Sequence, residues 1–224
     1  MRHIINLVLV SIVVFLSSCK SPYFTTVNDM RYIGGTVYLN SGKEISGQIN
    51  SSLATYYTSN SYITVTEGNA KESQKIYLSD IKGINVRNTY YEPKLIDMGW
   101  GSDRMMFVKR LTKENSRIGL YELYQQHTNS TTNRRGYSST YTTDDYSYYI
   151  TMEGHPATEA WNLGGKHLTP NFEDKMSELV KDCPTLAEKI KRKDKGYFYA
   201  QVSLVEEKRI ETMMNIIEEY NRCK

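Results

Sequence analysis

From Ile33 onward, short apolar runs alternate with turn-forming residues at a spacing that suits strands. Gly35-Thr36-Val37-Tyr38-Leu39 precedes Asn40-Ser41-Gly42-Lys43, and Glu44-Ile45-Ser46-Gly47-Gln48-Ile49 follows. Two β-rich runs about an Asn-Ser-Gly turn predict a hairpin. The same pattern predicts strands at Tyr62–Thr66, Lys75–Leu78, Ile81–Arg87, Met105–Leu111, Ile118–Gln126 and Tyr146–Met152. Short links with no helical period between them point to an antiparallel sheet or a small barrel-like β part over residues 33–152.

Past a connector at 153–168 the period changes. Thr169-Pro170 suits an N-cap followed by a first-turn proline. Phe172, Met176, Leu179 and Val180 then share one helical face. Asp182-Cys183-Pro184 breaks that helix and starts a second, with Leu186 and Ile190 facing inward and the basic Lys189–Lys195 stretch as its solvated end. Gly196 ends it. A third helix is predicted from Val202 to Tyr220, where Val202, Val205, Ile210, Met213, Ile217 and Tyr220 form one broad stripe. The expected fold class is α+β: the β part followed by a C-terminal three-helix segment, residues 169–224, packed on it.

The N-terminus carries a different kind of signal. Met1-Arg2-His3 leads into an apolar run from Ile4 to Phe15, and Leu16-Ser17-Ser18-Cys19 follows. A positive start, a short apolar stretch and small residues at its end are the layout of a secretory signal. The run falls short of the roughly 20 residues of a comfortable membrane span. A retained anchor helix is the alternative. Leu16-Ser17-Ser18-Cys19 resembles the bacterial lipobox, and that resemblance implies cleavage before Cys19, a diacylglycerol on its sulfur and acylation of the freed amine. Residues 1–18 are then a lipoprotein signal peptide, and the acylated Cys19 makes the lipid bilayer a partner. Lys20 stands where an aspartate would resemble an inner-membrane retention signal, which favours the outer membrane. Ser21-Pro22-Tyr23-Phe24 lacks the acidic stretch of surface-displayed lipoproteins, which favours the periplasmic face. Residues 19–32 show no sustained period and are expected to be a tether. In the mature part, Gly42–Ile49, Ser79-Asp80-Ile81, Leu120-Tyr121 and Asp182–Leu186 resemble a group of Gram-negative envelope lipoproteins without an assigned activity, which bears on architecture alone.

Composition narrows the function classes. With 28 basic and 25 acidic side chains, one basic residue fewer once Arg2 is cleaved away, nothing electrostatic calls for nucleic acid. Tyrosines number 19 against 5 phenylalanines, which suits half-buried β surface. No zinc-protease helix motif, Cys-x-x-Cys, phosphate loop or nucleophile elbow occurs, so no catalytic residue, metal or cofactor is expected. Glu153, His155, Glu159 and His167 form a weak His/carboxylate cluster, in which a zinc site is the sharp reading and surface histidines the bland one. Trp161 is expected to plug the helices onto the sheet, with a sugar-stacking platform as its alternative and Trp100 a second candidate on the same terms. Asp144-Asp145 reads as a solvated pair.

His127–Asp145 holds no aliphatic residue and is expected to be a long solvated hairpin loop. In its sharper reading, Tyr137 and Tyr141 supply stacking surfaces and Arg134 and Arg135 anion contacts, as in paratope-like loops. The remaining cysteines, Cys183 and Cys223, form an even pair in an oxidising compartment and are expected to join in a structural disulfide, with two free thiols as the alternative. The expected function is that of a lipid-anchored envelope protein whose folded part is a non-enzymatic binding module for a protein or glycan partner. The alternative is a glycan- or peptidoglycan-acting hydrolase built on carboxylates such as Glu153 and Glu159.

Overall fold

The computed structural model describes residues 21–53, 61–68, 70–96, 103–132, 134–156, 158–200 and 206–223. Cys19 and Trp100 lie outside them. The described strands are β1 (Tyr23–Thr26), β2 (Asp29–Leu39), β3 (Glu44–Ser52), β4 (Tyr62–Thr66), β5 (Gln74–Tyr77), β6 (Ile81–Val86), β7 (Thr89–Ile96), β8 (Arg104–Arg110), β9 (Ile118–Thr132), β10 (Ser138–Met152) and β11 (Glu159–Asn162). The helices are α1 (Phe172–Leu179), α2 (Pro184–Lys191) and α3 (Glu206–Tyr220). The fold is α+β, mostly an antiparallel sheet with three C-terminal helices.

All eleven strands belong to one sheet, but it has two halves. In the first, β2–β6 present one apolar face. Val37 pairs Ile45 on one side and Ile84 on the other, Ile49 pairs Ile33 and Val65, and Ile63 pairs Ile76. Alternation puts these partners on the same side, where Met30, Leu78, Val86 and Phe107 join them. The expected β2–β3 hairpin is present, with Gly42 at φ 86° in its turn. In the second half the strands close on themselves. β7 pairs β8, β8 pairs β9, β9 pairs β10, β10 pairs β11, and β11 returns to β7 in parallel. Ile96, Met106, Val108, Tyr121, Leu123, Tyr149 and Ala160 fill this five-stranded ring. Closure removes sheet edges that would otherwise need covering.

Two strands escape the apolar pattern. β7 follows β6 through a two-residue turn, Arg87-Asn88, whose φ values of 51° and 61° match the turn that twisted hairpins favour. Its Glu92-Pro93-Lys94 run interrupts the apolar signal. Pro93 is tolerated because its nitrogen faces the edge between the end of β6 pairing at Tyr91 and the start of β11 pairing at Leu95. β11 is only four residues long and lies within the expected connector.

The expected tether at 19–32 is corrected: the chain enters the sheet at Tyr23, and Thr26, Val27, Asn28 and Met30 are buried. Asn28 explains why such polar sequence is ordered. Its Nδ2 donates to the Phe107 carbonyl at 2.9 Å, and its Oδ1 accepts from the Phe107 N–H at 2.8 Å. The side-chain amide thus does for β8 what a neighbouring strand would.

The helices cover the outer face of the ring. Ile118, Leu120, Ile150 and Met152 meet Leu168, Phe172, Met176, Val180, Leu186, Ile190, Met213, Ile216, Ile217 and Tyr220. Helix α1 starts at Phe172, with Asn171 as its cap at φ 66°, so Pro170 precedes the helix instead of opening it. The Thr169 hydroxyl is engaged by the Gly164 and Gly165 carbonyls, and so does not cap α1. Pro184 opens α2 as expected. Val202 and Val205 of the predicted third helix lie outside the described residues. Cys183 and Cys223 are joined in a disulfide with Cα atoms 5.8 Å apart, linking the start of α2 to the end of α3.

Candidate functional site

Strands β9 and β10 run in register from Ile118 opposite Met152 to Thr132 opposite Ser138. Their inner ends build the ring, while every described residue from Gln126 to Tyr146 is exposed. The expected loop at His127–Asp145 is therefore a two-stranded arm with only a tight turn at its tip. Thr and Tyr have the branching and rings that favour strands, even where no aliphatic residue marks an inward face. Hydroxyl pairs tie the strands together, Thr131 to Ser139 and Thr132 to Ser138, each at 2.9 Å. Nearer the body, Asp144 accepts from the Tyr124 hydroxyl at 2.8 Å and from Gln126 at 3.2 Å. Asp144 is thus a cross-strand tie in an exposed pair.

Arg134, Arg135 and Gly136, the last at φ 81°, form the tip of the arm. Tyr137 beside them is 73% exposed, and Tyr141, 50% exposed, sits on β10 opposite Asn129. The structure therefore places all four expected contact residues on the arm, with Tyr141 below the tip on β10. At the arm's base lies a groove of about 190 Å³ that the sequence did not suggest. Phe24, Tyr91, Phe107, Tyr124 and Tyr146 supply its aromatic lining. The Tyr124 and Tyr146 rings lie 5.0 Å apart, and Lys109 and Glu122 make an ion pair at 3.8 Å.

A second concavity opens at one end of the ring. Strand alternation turns Glu92 and Lys94 of β7, Arg110 of β8, Gly119 and Tyr121 of β9 and Thr151 of β10 inward. They floor an open cavity of about 410 Å³ whose rim includes Asn115, Ser116, Arg117, Glu153 and His155. Lys94 Nζ is 2.8 Å from Glu92, and Arg110 is 3.4 Å from the same carboxylate. The Tyr121 hydroxyl donates to Glu92 at 3.2 Å. Burial alone would raise the Glu92 carboxyl, but the hydrogen bond and charge of Lys94, then those of Arg110, outweigh it and hold the group below its ordinary value. Burial first, then the Glu92 charge, push the Tyr121 phenol up to about 12. Sequence reasoning missed this cluster because it missed β7. The available signal was Glu92 and Lys94 two residues apart in a run flanked by Tyr91 and Leu95, which puts both charges on one strand face.

The remaining candidates have separate partners. Glu153 pairs with Arg117 at 2.8 Å, whereas Glu159 accepts from Trp161 Nε1 at 3.1 Å. Trp161 packs against the helix-covered core. It also lies between His155, edge-on at 4.8 Å, and His167, stacked at 5.2 Å. The two histidines thus flank an indole. Among the described residues, no group of three or more His, Cys, Asp or Glu side chains is gathered to hold a metal ion. No protein-family model matches the chain, and neither the curated proteins nor the solved structures give a match. The functional reading therefore rests on geometry and on the resemblance at the N-terminus.

Proposed function

We propose that the chain is a lipid-anchored cell-envelope protein, held to the periplasmic face of the outer membrane through an acylated Cys19, whose folded part is a non-enzymatic binding module. The observation that carries the binding role is the arm. From Gln126 to Tyr146 its described residues are all exposed, so this segment adds little hydrophobic stabilisation to the fold. It holds Arg134, Arg135, Tyr137 and Tyr141 away from the body, and tyrosine and arginine are the side chains that anchor interfaces. A protein or glycan is the partner this chemistry suits. The aromatic groove at the arm's base extends the same surface.

The anchor and the fold make a consistent arrangement. β1 begins at Tyr23, and the chain between Cys19 and Tyr23 reaches at most roughly 14 Å when extended. An acylated Cys19 would hold the body close to the bilayer.

The test has two arms. Cys19→Ala should abolish metabolic lipid labelling and leave the precursor unprocessed; maturation and membrane retention of that variant would return the anchor-helix reading. For the arm, a photo-crosslinking residue at Tyr141 in intact cells should give a discrete adduct, and the same residue at the exposed Lys82 of the body should not. Indistinguishable patterns from the two positions would overturn the arm as the contact surface.

A further inference from the structure

The floor of the ring cavity carries more positive than negative charge. Lys94 and Arg110 share the Glu92 carboxylate. The charges on the rim have other commitments: Arg117 is bonded to Glu153 and Asp182, and Glu114 is paired with Lys82. One surplus positive charge therefore remains deep in the ring. It is held in a residue, Lys94, that is only 7% exposed. A buried charge is costly unless it is paired and hydrogen-bonded.

The donors at this floor are not used up. Lys94 has three N–H groups, and its surroundings include Glu92 and the face of the Tyr121 ring, 4.9 Å from Nζ. Arg110 spends its two terminal nitrogens on Glu92 and on the Glu114 carbonyl. Its Nε is buried without a hydrogen-bond partner among the described residues. Surplus charge and the Lys94 N–H groups thus coincide at the bottom of a cavity of about 410 Å³, a volume within the range of small-molecule sites.

Gly119 keeps the floor in this shape. A Cβ there would lie 2.7 Å from the Tyr121 ring, 2.8 Å from its hydroxyl oxygen and 2.6 Å from Thr151 Oγ1. Any side chain would displace the tyrosine that donates to Glu92 and faces Lys94.

We propose that the mouth of the β7–β11 ring binds a small organic carboxylate, with the carboxylate group held between Lys94 and Arg110. Charge count selects this class. One carboxylate neutralises the surplus, whereas a phosphate group carrying about −1.5 to −2 would overcompensate beside Glu92. Charge-assisted bonds from a lysine and an arginine are the strong kind. The uncharged polar rim residues Asn115 and Ser116 are placed to meet the rest of the ligand. The proposal uses neither the arm nor the lipid, and stands apart from the function given above.

The experiment is a titration of the detergent-purified full chain with sodium acetate, followed through the arginine Nε–H resonances by NMR. Sodium phosphate and sodium chloride at matched ionic strength are the comparison titrants. The Arg110 signal is identified by its loss in Arg110→Lys. Acetate should move that signal along a saturable curve, and chloride should not. Lys94→Met should weaken the acetate response by about ten-fold or more, as expected for loss of a charge-assisted bond. The wild-type titration decides the matter even if that variant does not fold. A response to acetate no different from that to chloride would overturn the site, and saturation by phosphate alone would overturn the carboxylate assignment.

Discussion

Asn28 is 1% exposed and sends its amide to both polar groups of the Phe107 backbone. Among the described residues β8 pairs β9 at Lys109 and Arg110, so Asn28 satisfies the β8 edge at Phe107, where that pairing has ended. Asn28→Ala would orphan a buried N–H and a buried carbonyl, at about 1–3 kcal/mol for each group. The expected outcome is a clear fall in the urea midpoint with an unchanged slope; an unchanged midpoint would show that the edge finds other partners. Nothing in the sequence marks Asn28 for this work. Its partner lies 79 residues away, and a polar residue between Val27 and Asp29 reads as tether. Glu92 and Lys94 were hidden differently. Two charges and a proline read as a break in a strand, because periodicity assumes that inward positions are apolar. The ring floor violates that assumption, and such violations are where functional sites are expected.

At the scale of elements, legibility follows burial. Strands β3, β4 and β6 and helices α1 and α2 each carry a clear apolar face, and the pattern found them within a few residues. The arm has no such face beyond Gln126, so its strands read as loop, although Thr and Ser recur along both of them and β10 adds Tyr141 and Tyr146. Cross-strand hydroxyl pairs and the Asp144 ties hold it in register, each worth only a fraction of a kcal/mol to about 1 kcal/mol. A lone two-stranded ribbon is marginally stable in water. Two consequences follow. Amide hydrogen exchange should be fast from His127 to Thr143 and slow in the ring portions of the same strands, Gly119–Leu123 and Tyr149–Met152. Replacing Asn129–Thr143 by a short turn should leave the thermal midpoint nearly unchanged, since the described residues among those excised are exposed. A large fall in that midpoint would mean that the arm is packed against the body, and it would remove the arm as a free contact surface.

At the scale of the whole molecule, a latch joins the ring to the end of its helical cover. Arg117, between β8 and β9, bonds to Glu153 and Asp182, and its guanidinium lies 3.8 Å from the Tyr220 ring centre. Its backbone N–H donates to Asn221, and the Tyr220 hydroxyl donates to Asp182 at 2.7 Å. The Cys183–Cys223 disulfide flanks the same place, one residue beyond Asp182 and three beyond Tyr220. The pairing of these cysteines was legible from their even count under the proposed export, whereas the latch was not, because it joins residues from four separate stretches of chain. The Arg117 hydrogen bond, then that from Tyr220, hold the Asp182 carboxyl below its ordinary value. A depressed acid contributes its stability in full above the unfolded pKa of about 3.9 and loses it as pH falls through the lower folded value. Asp182→Asn should therefore lower stability at neutral pH and flatten its decline on that acid side. The disulfide acts mainly on the unfolded chain, where a bridge across 40 residues corresponds to roughly 4 kcal/mol in the chain-entropy model. Cys183→Ser with Cys223→Ser should accordingly lower the thermal midpoint, as should reduction of the wild-type protein. The two devices secure the same end of α3, so their effects should not add. Once the bridge is gone the C-terminus frays more readily, and Asp182→Asn should cost less in the serine background than in the bridged protein. Strict additivity in that double-mutant cycle would show that latch and disulfide restrain different openings of the molecule.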